Sequence, residues 1–350
     1  MSIKKVVVAM SGGVDSSVAA AILKDQGYDV IGVTMQIWSS SKGSINDAKK
    51  VADKLGIPHY VMNFREEFKK QVIDDFISEY KNGRTPNPCI RCNEFIKFRH
   101  LLHKAKELGA EFVATGHYAK VKVQKSKVKN NEYFLLKGKD KKKDQSYALY
   151  TLNQDNLKHI LFPLGELTKK EVRKIAKKKG LPVHDKEESQ EICFIEDDDY
   201  NRFLRENAPD SVKPGNIVDT NGNIVGQHQG VAFFTIGQRK GLGAHQASPK
   251  YVIRIDPKKH LVVIGDKLET LGKELEAEKI SFVSGHLPIT PLEIKAKIRY
   301  NSSEAKAVLK KVSSSKVEIV FSKPQNAITP GQSAVFYKGD EIIGGGIITN

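Results

Sequence analysis

Four short apolar runs, 6–10, 29–37, 59–62 and 111–115, are rich in β-branched residues and bounded by Gly, Asp or Asn, which predicts buried strands. The stretches between and after them, 14–26, 44–55, 65–80 and 93–108, carry helical spacing. Strands alternating with helices of this length predict an α/β domain, a parallel sheet covered on both faces with ligands at the carboxyl ends of its strands. Alternation over 118–128 and 132–137 predicts a hairpin that turns its lysines to solvent. Thr168 reads as a helix N-cap, Glu171 completes a capping box, and Gly180 with Pro182 ends that helix. Beyond about Asp210 the pattern changes to short strands and turns such as Asn221-Gly222, Asp256-Pro257 and Lys338-Gly339-Asp340. With a break near 275–280, the expected domains are 1–208, α/β with a basic hairpin and a helical insert, then 209–277 and 278–350, both mostly β.

Composition narrows the class. At 350 residues, 39% hydrophobic and 28% charged, the chain is long enough for several cores and too apolar for general disorder. No apolar run approaches the ~18 residues of a membrane span, and the beginning of the chain lacks a signal-peptide pattern, so a cytoplasmic protein is expected. The formal charge is +16. Half of that excess falls in 120–143, where ten lysines face only Glu132 and Asp140. A second basic cluster covers 168–179. Charge of this sign and density attracts polyanions, nucleic acid first.

The sharpest motif is Ser11-Gly12-Gly13-Val14-Asp15-Ser16-Ser17, between the first strand and the first helix. Adjacent glycines let backbone approach an anion, N–H groups at the helix start point at it, and the dipole favours negative charge. Ser11, Ser16 and Ser17 add hydroxyl donors, and Asp15 can help hold Mg2+ or a ligand hydroxyl. The loop suits a pyrophosphate. Neither G-x-x-x-x-G-K-[ST] nor G-x-G-x-x-G occurs, which removes motor and dehydrogenase readings.

Cys89, Cys92 and Cys193 are the three cysteines. An odd number in a chain without an export pattern argues against a disulfide framework. With Asn93 as N-cap, Cys92 would precede a helix, where the dipole and Arg91 or Lys97 would lower its pKa. Sulfur transfer through Cys92 and Cys193 is the favoured use. An iron–sulfur cluster on the three thiols, a zinc site short of ligands, and burial of Cys193 in an Ile-Cys-Phe-Ile strand are the alternatives. His100 and His103 read as part of a basic helix face rather than as ligands.

The segment 9–16 resembles the pyrophosphatase-loop ATPases. Together with Asn87-Pro88-Cys89-Ile90-Arg91-Cys92-Asn93, Ala114-Thr115-Gly116-His117-Tyr118-Ala119 and Lys143-Asp144-Gln145-Ser146-Tyr147, it resembles the bacterial tRNA-specific 2-thiouridylases, the MnmA family. Glu191-Ile192-Cys193-Phe194-Ile195, the stretch 235–243 and Pro330-Gly331-Gln332 continue the likeness in the family's order. The resemblance implies a pyrophosphatase-loop catalytic domain, two smaller β domains of which the last is a β-barrel, and ATP-dependent replacement of the C2 oxygen of the wobble uridine by persulfide sulfur. It implies an ATP site at Ala9, Met10, Ser11, Gly12, Gly13, Val14, Asp15, Ser16, Met35 and Gly116, with Cys92 as nucleophile and Cys193 as persulfide carrier. It implies tRNA contacts at Asn87, Pro88, Cys89, His117, Lys143, Asp144, Gln145, Arg299, Tyr300 and Gln332. Some relatives carry Asp in place of Cys89, which implies that Cys89 is dispensable.

The implied partners are the tRNA anticodon stem-loop and a persulfide donor such as a cysteine desulfurase or sulfur relay protein, with the chain acting as a monomer. Gly237-Gln238-Arg239-Lys240-Gly241 fits either an RNA contact or an interdomain latch. A pyrophosphatase-loop ligase that adds an amine, and an RNA-binding adaptor with a vestigial loop, are the competing readings. The first leaves the cysteines without a role, and the second predicts tRNA binding without AMP production.

Overall fold

The computed structural model describes residues 3–38, 42–125, 131–187, 192–195, 197, 199–209, 212–242 and 248–350. Ser189, Gln190, Glu191 and Gly243 of the sequence motifs, and part of the lysine run, lie outside the described residues.

The first domain alternates β1 (Lys5–Ala9), α1 (Val14–Asp25), β2 (Asp29–Gln36), α2 (Lys42–Leu55) and β3 (His59–Asn63). A helical stretch follows, α3 (Arg65–Phe68), a π-type segment Lys69–Ile73 and α4 (Asp74–Lys81). A second comprises α5 (Pro88–Arg91), a π-type segment Cys92–His100 and α6 (Leu101–Glu107). Then come β4 (Phe112–Ala114), the strands β5 (Ala119–Gln124) and β6 (Glu132–Lys137), α7 (Gln154–Leu157), β7 (Ile160–Leu161), α8 (Lys169–Lys178) and α9 (Tyr200–Asn207). The expected capping box is present, with Thr168 accepting from the Glu171 N–H and the Glu171 carboxylate accepting from the Thr168 N–H.

The sheet order is β3-β2-β1-β4-β7, parallel throughout. Strands run outward from β1 to β3, and the chain then returns to place β4 on the other side of β1. That reversal opens a crevice beyond the carboxyl ends of β1 and β4, where a doubly wound sheet binds its ligands. One face of the sheet buries Val7, Val33, Phe68, Phe76 and Ile96, and the other buries Val6, Val8, Val18, Leu23 and Val51.

The middle domain holds β8 (Gly215–Val218), β9 (Ile224–His228), β10 (Tyr251–Asp256) and β11 (Leu261–Gly265), in the order β10-β11-β8-β9. The last domain holds β12 (Leu271–Phe282), β13 (Leu292–Lys297), β14 (Ala305–Val312), β15 (Lys316–Asn326), β16 (Ser333–Lys338) and β17 (Glu341–Ile348). Their antiparallel order β12-β15-β14-β13-β16-β17 is closed by β12–β17 pairing into a six-stranded barrel around Leu275, Ile294, Leu309, Ile319 and Phe336. Strand β12 runs unbroken past 277, where the sequence pattern suggests a break.

The basic hairpin is present but does not stand alone, since β6 pairs with β17 and adds β5 and β6 to the barrel wall. Tyr147 and Tyr150 are fully buried in the same seam, and the Tyr147 hydroxyl donates to the Ser333 carbonyl at 2.8 Å. Burial of each such ring contributes about 1.5–3 kcal/mol. Several of the lysines are engaged: Lys137 reaches Glu304 at 2.6 Å and Lys120 reaches Glu166 at 3.4 Å.

Candidate functional site

The phosphate loop follows β1 and opens α1 as its motif predicts. Gly12 has φ +69°, and a Cβ there would collide with the Ser44 carbonyl, so position and conformation both demand glycine. Gly13 is the N-cap with ordinary φ −98° and carries no such demand. The Ser11 N–H donates to Ser16 Oγ at 3.2 Å, and Ser16 and Ser17 hydroxyls donate to the Gly13 carbonyl at 3.2 and 2.8 Å. Ser16 lines the cavity beside the loop, whereas Ser17 is fully buried and does not, so Ser17 is not placed to serve as a phosphate donor. Met10 and Val14 are likewise buried beneath the loop.

Ala9, Ser11, Asp15, Ser16, Met35 and Gly116 line a cavity of about 200 Å³, completed by Lys97, Thr115, His117 and Gln145. Gly116 follows β4 and crosses the start of α1 so closely that a Cβ would lie 2.7 Å from the Ser16 nitrogen. His117 and Gln145, expected at the RNA, thus line the same cavity as the phosphate-loop residues. His117 is buried, its Nδ1 lies 2.7 Å from Thr115 Oγ1, and burial first, then the nearby Lys97 charge, hold its pKa well below the ordinary value.

Two lysines that the motif did not reveal reach the loop from far along the chain. Lys169 Nζ donates to both Asp15 carboxylate oxygens at 2.7 and 2.8 Å, and Tyr118 OH donates to the same group at 2.8 Å. Lys186 Nζ bridges the Gly12 carbonyl at 3.2 Å and Asp47 at 2.6 Å. Asp15 is the carboxylate in the cavity wall. A magnesium ion carried mainly by phosphate oxygens needs only one or two such ligands, so Asp15 fits it once Lys169 shifts to the phosphates.

The cysteines sit differently from expectation. The helix starts at Pro88, with Asn87 as N-cap, so Cys92 lies in its second turn rather than before it. Asn93 is no cap. Its buried amide donates to the Ala148 carbonyl at 2.9 Å, and its oxygen accepts from Lys97 Nζ at 2.9 Å. Away from the helix N-terminus the dipole does not help Cys92. Burial raises its thiol pKa, opposed by Lys97, which corrects the expected depression. Arg91 is turned away, paired with Asp75 and Glu94, both at 3.1 Å.

Cys193 lies in a turn closed by Ile195 N–H to the Ile192 carbonyl at 2.8 Å, not in a strand. Its neighbour Phe194 is the anchor, buried edge-on against Phe68, Phe76 and Phe203 in the core that also contains Cys92. The Cys193 side chain reaches the surface, yet the protein around it, with Cys92 and Cys89 nearby, pushes its thiol up to about 12. Cys89 is exposed and Cys92 buried. Among the described residues no three His, Cys, Asp or Glu side chains converge to hold a metal ion.

The remaining expected RNA contacts divide. Tyr300 is 39% exposed, edge-on to Tyr147, with Lys297 Nζ 5.6 Å from its ring centre. Asp144 caps its own turn, accepting from Gly138 N–H and the Ser146 hydroxyl. Lys143 closes that turn through its N–H to the Asp140 carbonyl at 3.0 Å.

Arg299 and Gln332 are interdomain ties. Arg299 donates to the carbonyls of Ile236 and Ala327 and to Thr329 Oγ1. Gln332 donates to the carbonyls of Thr85 and Pro86 at 2.9 and 3.3 Å. Gly237 packs where a Cβ would meet Ala327, so the latch reading of its segment is the one the contacts favour, while Arg239 and Lys240 remain exposed. Pro88 is buried at the helix start. Among the described residues no helix is long and apolar enough to cross a membrane.

Three family profiles cover the chain. The tRNA methyl transferase HUP domain matches residues 4–197, the tRNA methyl transferase PRC-barrel domain 201–266, and the aminomethyltransferase beta-barrel domain 272–348. The tRNA-specific 2-thiouridylase MnmA of Acetivibrio thermocellus is 52% identical, with 99% of this chain and 100% of that protein covered. That of Carboxydothermus hydrogenoformans is also 52% identical, over 99% of this chain and 97% of that protein. A third, from Clostridium perfringens, is 50% identical over 99% of each.

Proposed function

The chain belongs to the family of tRNA-specific 2-thiouridylases, enzymes that use ATP to thiolate tRNA, and we propose how its own residues divide that work. Ser11, Ser16 and the free N–H groups at the start of α1 receive the pyrophosphate half of ATP, aided by the helix dipole. Asp15 would hold magnesium with the phosphates, and when bound the ion neutralises charge on the departing pyrophosphate. Ala9, Met35 and Gly116 shape the adenosine side, while Met10, Gly12, Gly13 and Val14 fix the loop.

The wobble uridine leaves its stack to reach the cavity, with Asn87, Pro88 and Cys89 at the helix start and exposed Tyr300 beside its path. Its C2 oxygen attacks the α-phosphorus; a new O–P bond forms, the α–β bridge breaks and pyrophosphate leaves. A persulfide on Cys193, loaded by an external donor of the cysteine-desulfurase or sulfur-relay class, supplies the sulfur. Cys92 thiolate attacks the inner sulfur, forming a Cys92–Cys193 disulfide and releasing hydrosulfide, which attacks C2 and expels AMP. In the variant order the outer sulfur attacks C2 first and Cys92 then breaks the S–S bond. A dithiol reductant returns two electrons to the disulfide, which suits a reducing cytoplasm.

The observation that carries this reading is that one cavity is lined by phosphate-loop residues and by Lys97 from the helix bearing Cys92. Its test is mass spectrometry of tRNA incubated with enzyme, ATP and a persulfide source. Cys92→Ser and Cys193→Ser are expected to abolish 2-thiouridine, while Cys89→Ser keeps most of it. Full thiolation by Cys193→Ser would overturn the relay, and modified base formed without AMP would overturn the activation step.

A further inference from the structure

Lys97 belongs to both halves of the site. It is on the thiol helix, five residues after Cys92, yet it lines the nucleotide cavity with Ser11, Asp15 and Ser16. Its ammonium is aimed by a two-link chain, Lys97 Nζ to Asn93 Oδ1 and Asn93 Nδ2 to the Ala148 carbonyl, each 2.9 Å. The anchor of that chain is buried and neutral. Among the described residues no carboxylate pairs with Lys97, in contrast to Lys169 and Lys186, which rest on Asp15 and Asp47. A half-buried cation with no counter-ion among the described residues, lining a cavity beside the phosphate loop, is completed electrostatically by an anion bound there.

Position decides which anion. The start of α1 suits the pyrophosphate end, whereas Lys97 is carried by the helix that bears Cys92. The group that must lie between them is the α-phosphoryl, because it is joined first to pyrophosphate and then to the uridine that sulfur attacks. We infer that Lys97 is a catalytic residue that touches the α-phosphoryl oxygens in both half-reactions, as pyrophosphate departs and again as AMP is expelled. This inference rests on the activation chemistry proposed above. The same charge also reaches the cysteines, where it opposes the effect of burial on Cys89, Cys92 and Cys193. A residue acting only on the thiols would leave the first half-reaction untouched, and that difference is measurable.

The experiment is single-turnover, tRNA-dependent pyrophosphate release by the full-length enzyme, with ATP affinity measured in parallel. Lys97→Gln is expected to slow release by about a hundredfold, the usual loss when one donor to a developing oxyanion is removed. Its ATP affinity should stay within threefold of wild type. Lys97→Arg, which keeps the charge, should release pyrophosphate at least tenfold faster than Lys97→Gln. The Gln substitution should cost the same factor in a Cys92→Ser background, where a role exercised through that thiol is absent.

Release by Lys97→Gln within threefold of wild type would overturn the inference. So would equal rates for the Gln and Arg variants, a loss of rate explained by lost ATP affinity, or disappearance of the effect in the Cys92→Ser background. Should Lys97→Gln fail to fold, the Arg variant decides: release within tenfold of wild type supports the inference and a larger loss overturns it. Wild-type enzyme that makes neither pyrophosphate nor 2-thiouridine would instead remove the functional reading beneath it.

Discussion

The phosphate loop and the turn leading into the thiol helix are both chemistry-bearing segments, and they are held in opposite ways. The loop is largely self-supporting: Ser11, Gly13, Ser16 and Ser17 bond one another within a few residues of chain. The lead-in turn is held almost entirely from outside. Thr85 N–H donates to the Pro330 carbonyl at 2.8 Å, its hydroxyl lies 3.0 Å from that of Thr235, and Gln332 binds the carbonyls of Thr85 and Pro86. Arg84 adds ion pairs to Glu79 at 2.7 Å and to Glu278 at 3.3 Å. The barrel and the middle domain therefore set where the thiol helix begins. Under the proposed roles, nucleotide binding is a property of one domain, and presentation of the sulfur chemistry is a property of three.

The largest effect that tests this contrast is Gly12→Ala. A Cβ there must adopt φ +69° and displace Ser44, so loop geometry is lost. At 1–3 kcal/mol for the strained backbone plus the collision, ATP affinity should fall on the order of a hundredfold. Nearly wild-type affinity by titration would break the claim that this loop geometry governs nucleotide binding. Gly331→Ala is the matching change on the other side. At φ +90° its Cβ would lie 2.7 Å from the Thr85 nitrogen. It should reduce 2-thiouridine formation roughly thirtyfold while ATP affinity stays unchanged. Parallel loss of both would show that the two segments are not independently held.

Acidity separates the regions a second way. Burial raises the thiols of Cys92 and Cys193, the latter to about 12. Their thiolate fraction, and hence their alkylation rate by iodoacetamide, should climb about tenfold per pH unit from 7 to 9. ATP affinity should hold nearly level over that range. The stability sign follows from the same shift: above pH 9 the unfolded chain releases thiol protons that the folded chain keeps, so stability declines as pH rises. A Cys92 alkylation rate that is flat from pH 7 upward would mean the thiol is already ionised and would restore the expectation drawn from sequence.

That expectation shows what local pattern can and cannot carry. The β1-loop-α1 unit and the Thr168–Glu171 capping box were legible because their partners sit within a few residues, where spacing is the geometry. The start of the thiol helix was misread at Asn93, although the right signal was there: Asn87 followed by Pro88 is the pairing of an N-cap with proline at the first helical position. The direction of the Cys92 shift was beyond local reading, because it comes from burial in a core that also contains Phe68, Phe76 and Phe194. Lys169 on Asp15, Lys186 on Gly12 and β6 on β17 are pairings across more than a hundred residues, which no periodicity encodes.

Gln332 gives the smallest and most discriminating effect. Sequence likeness marked it as a tRNA contact, whereas its amide is spent on the Thr85 and Pro86 carbonyls. Two neutral hydrogen bonds contribute about 1–3 kcal/mol together, part of which is recovered by water on this half-buried surface. Gln332→Ala should therefore lower kcat for thiolation about fivefold by loosening the turn, with KM for tRNA and for ATP little changed. A residue that held RNA in ground and transition states alike would do the reverse, raising KM for tRNA and sparing kcat. If KM alone moves, Gln332 faces the substrate and the turn is held by Thr85 and Arg84 without it. If kcat alone moves, the barrel acts on sulfur transfer through the backbone of the lead-in turn, at a distance from any base.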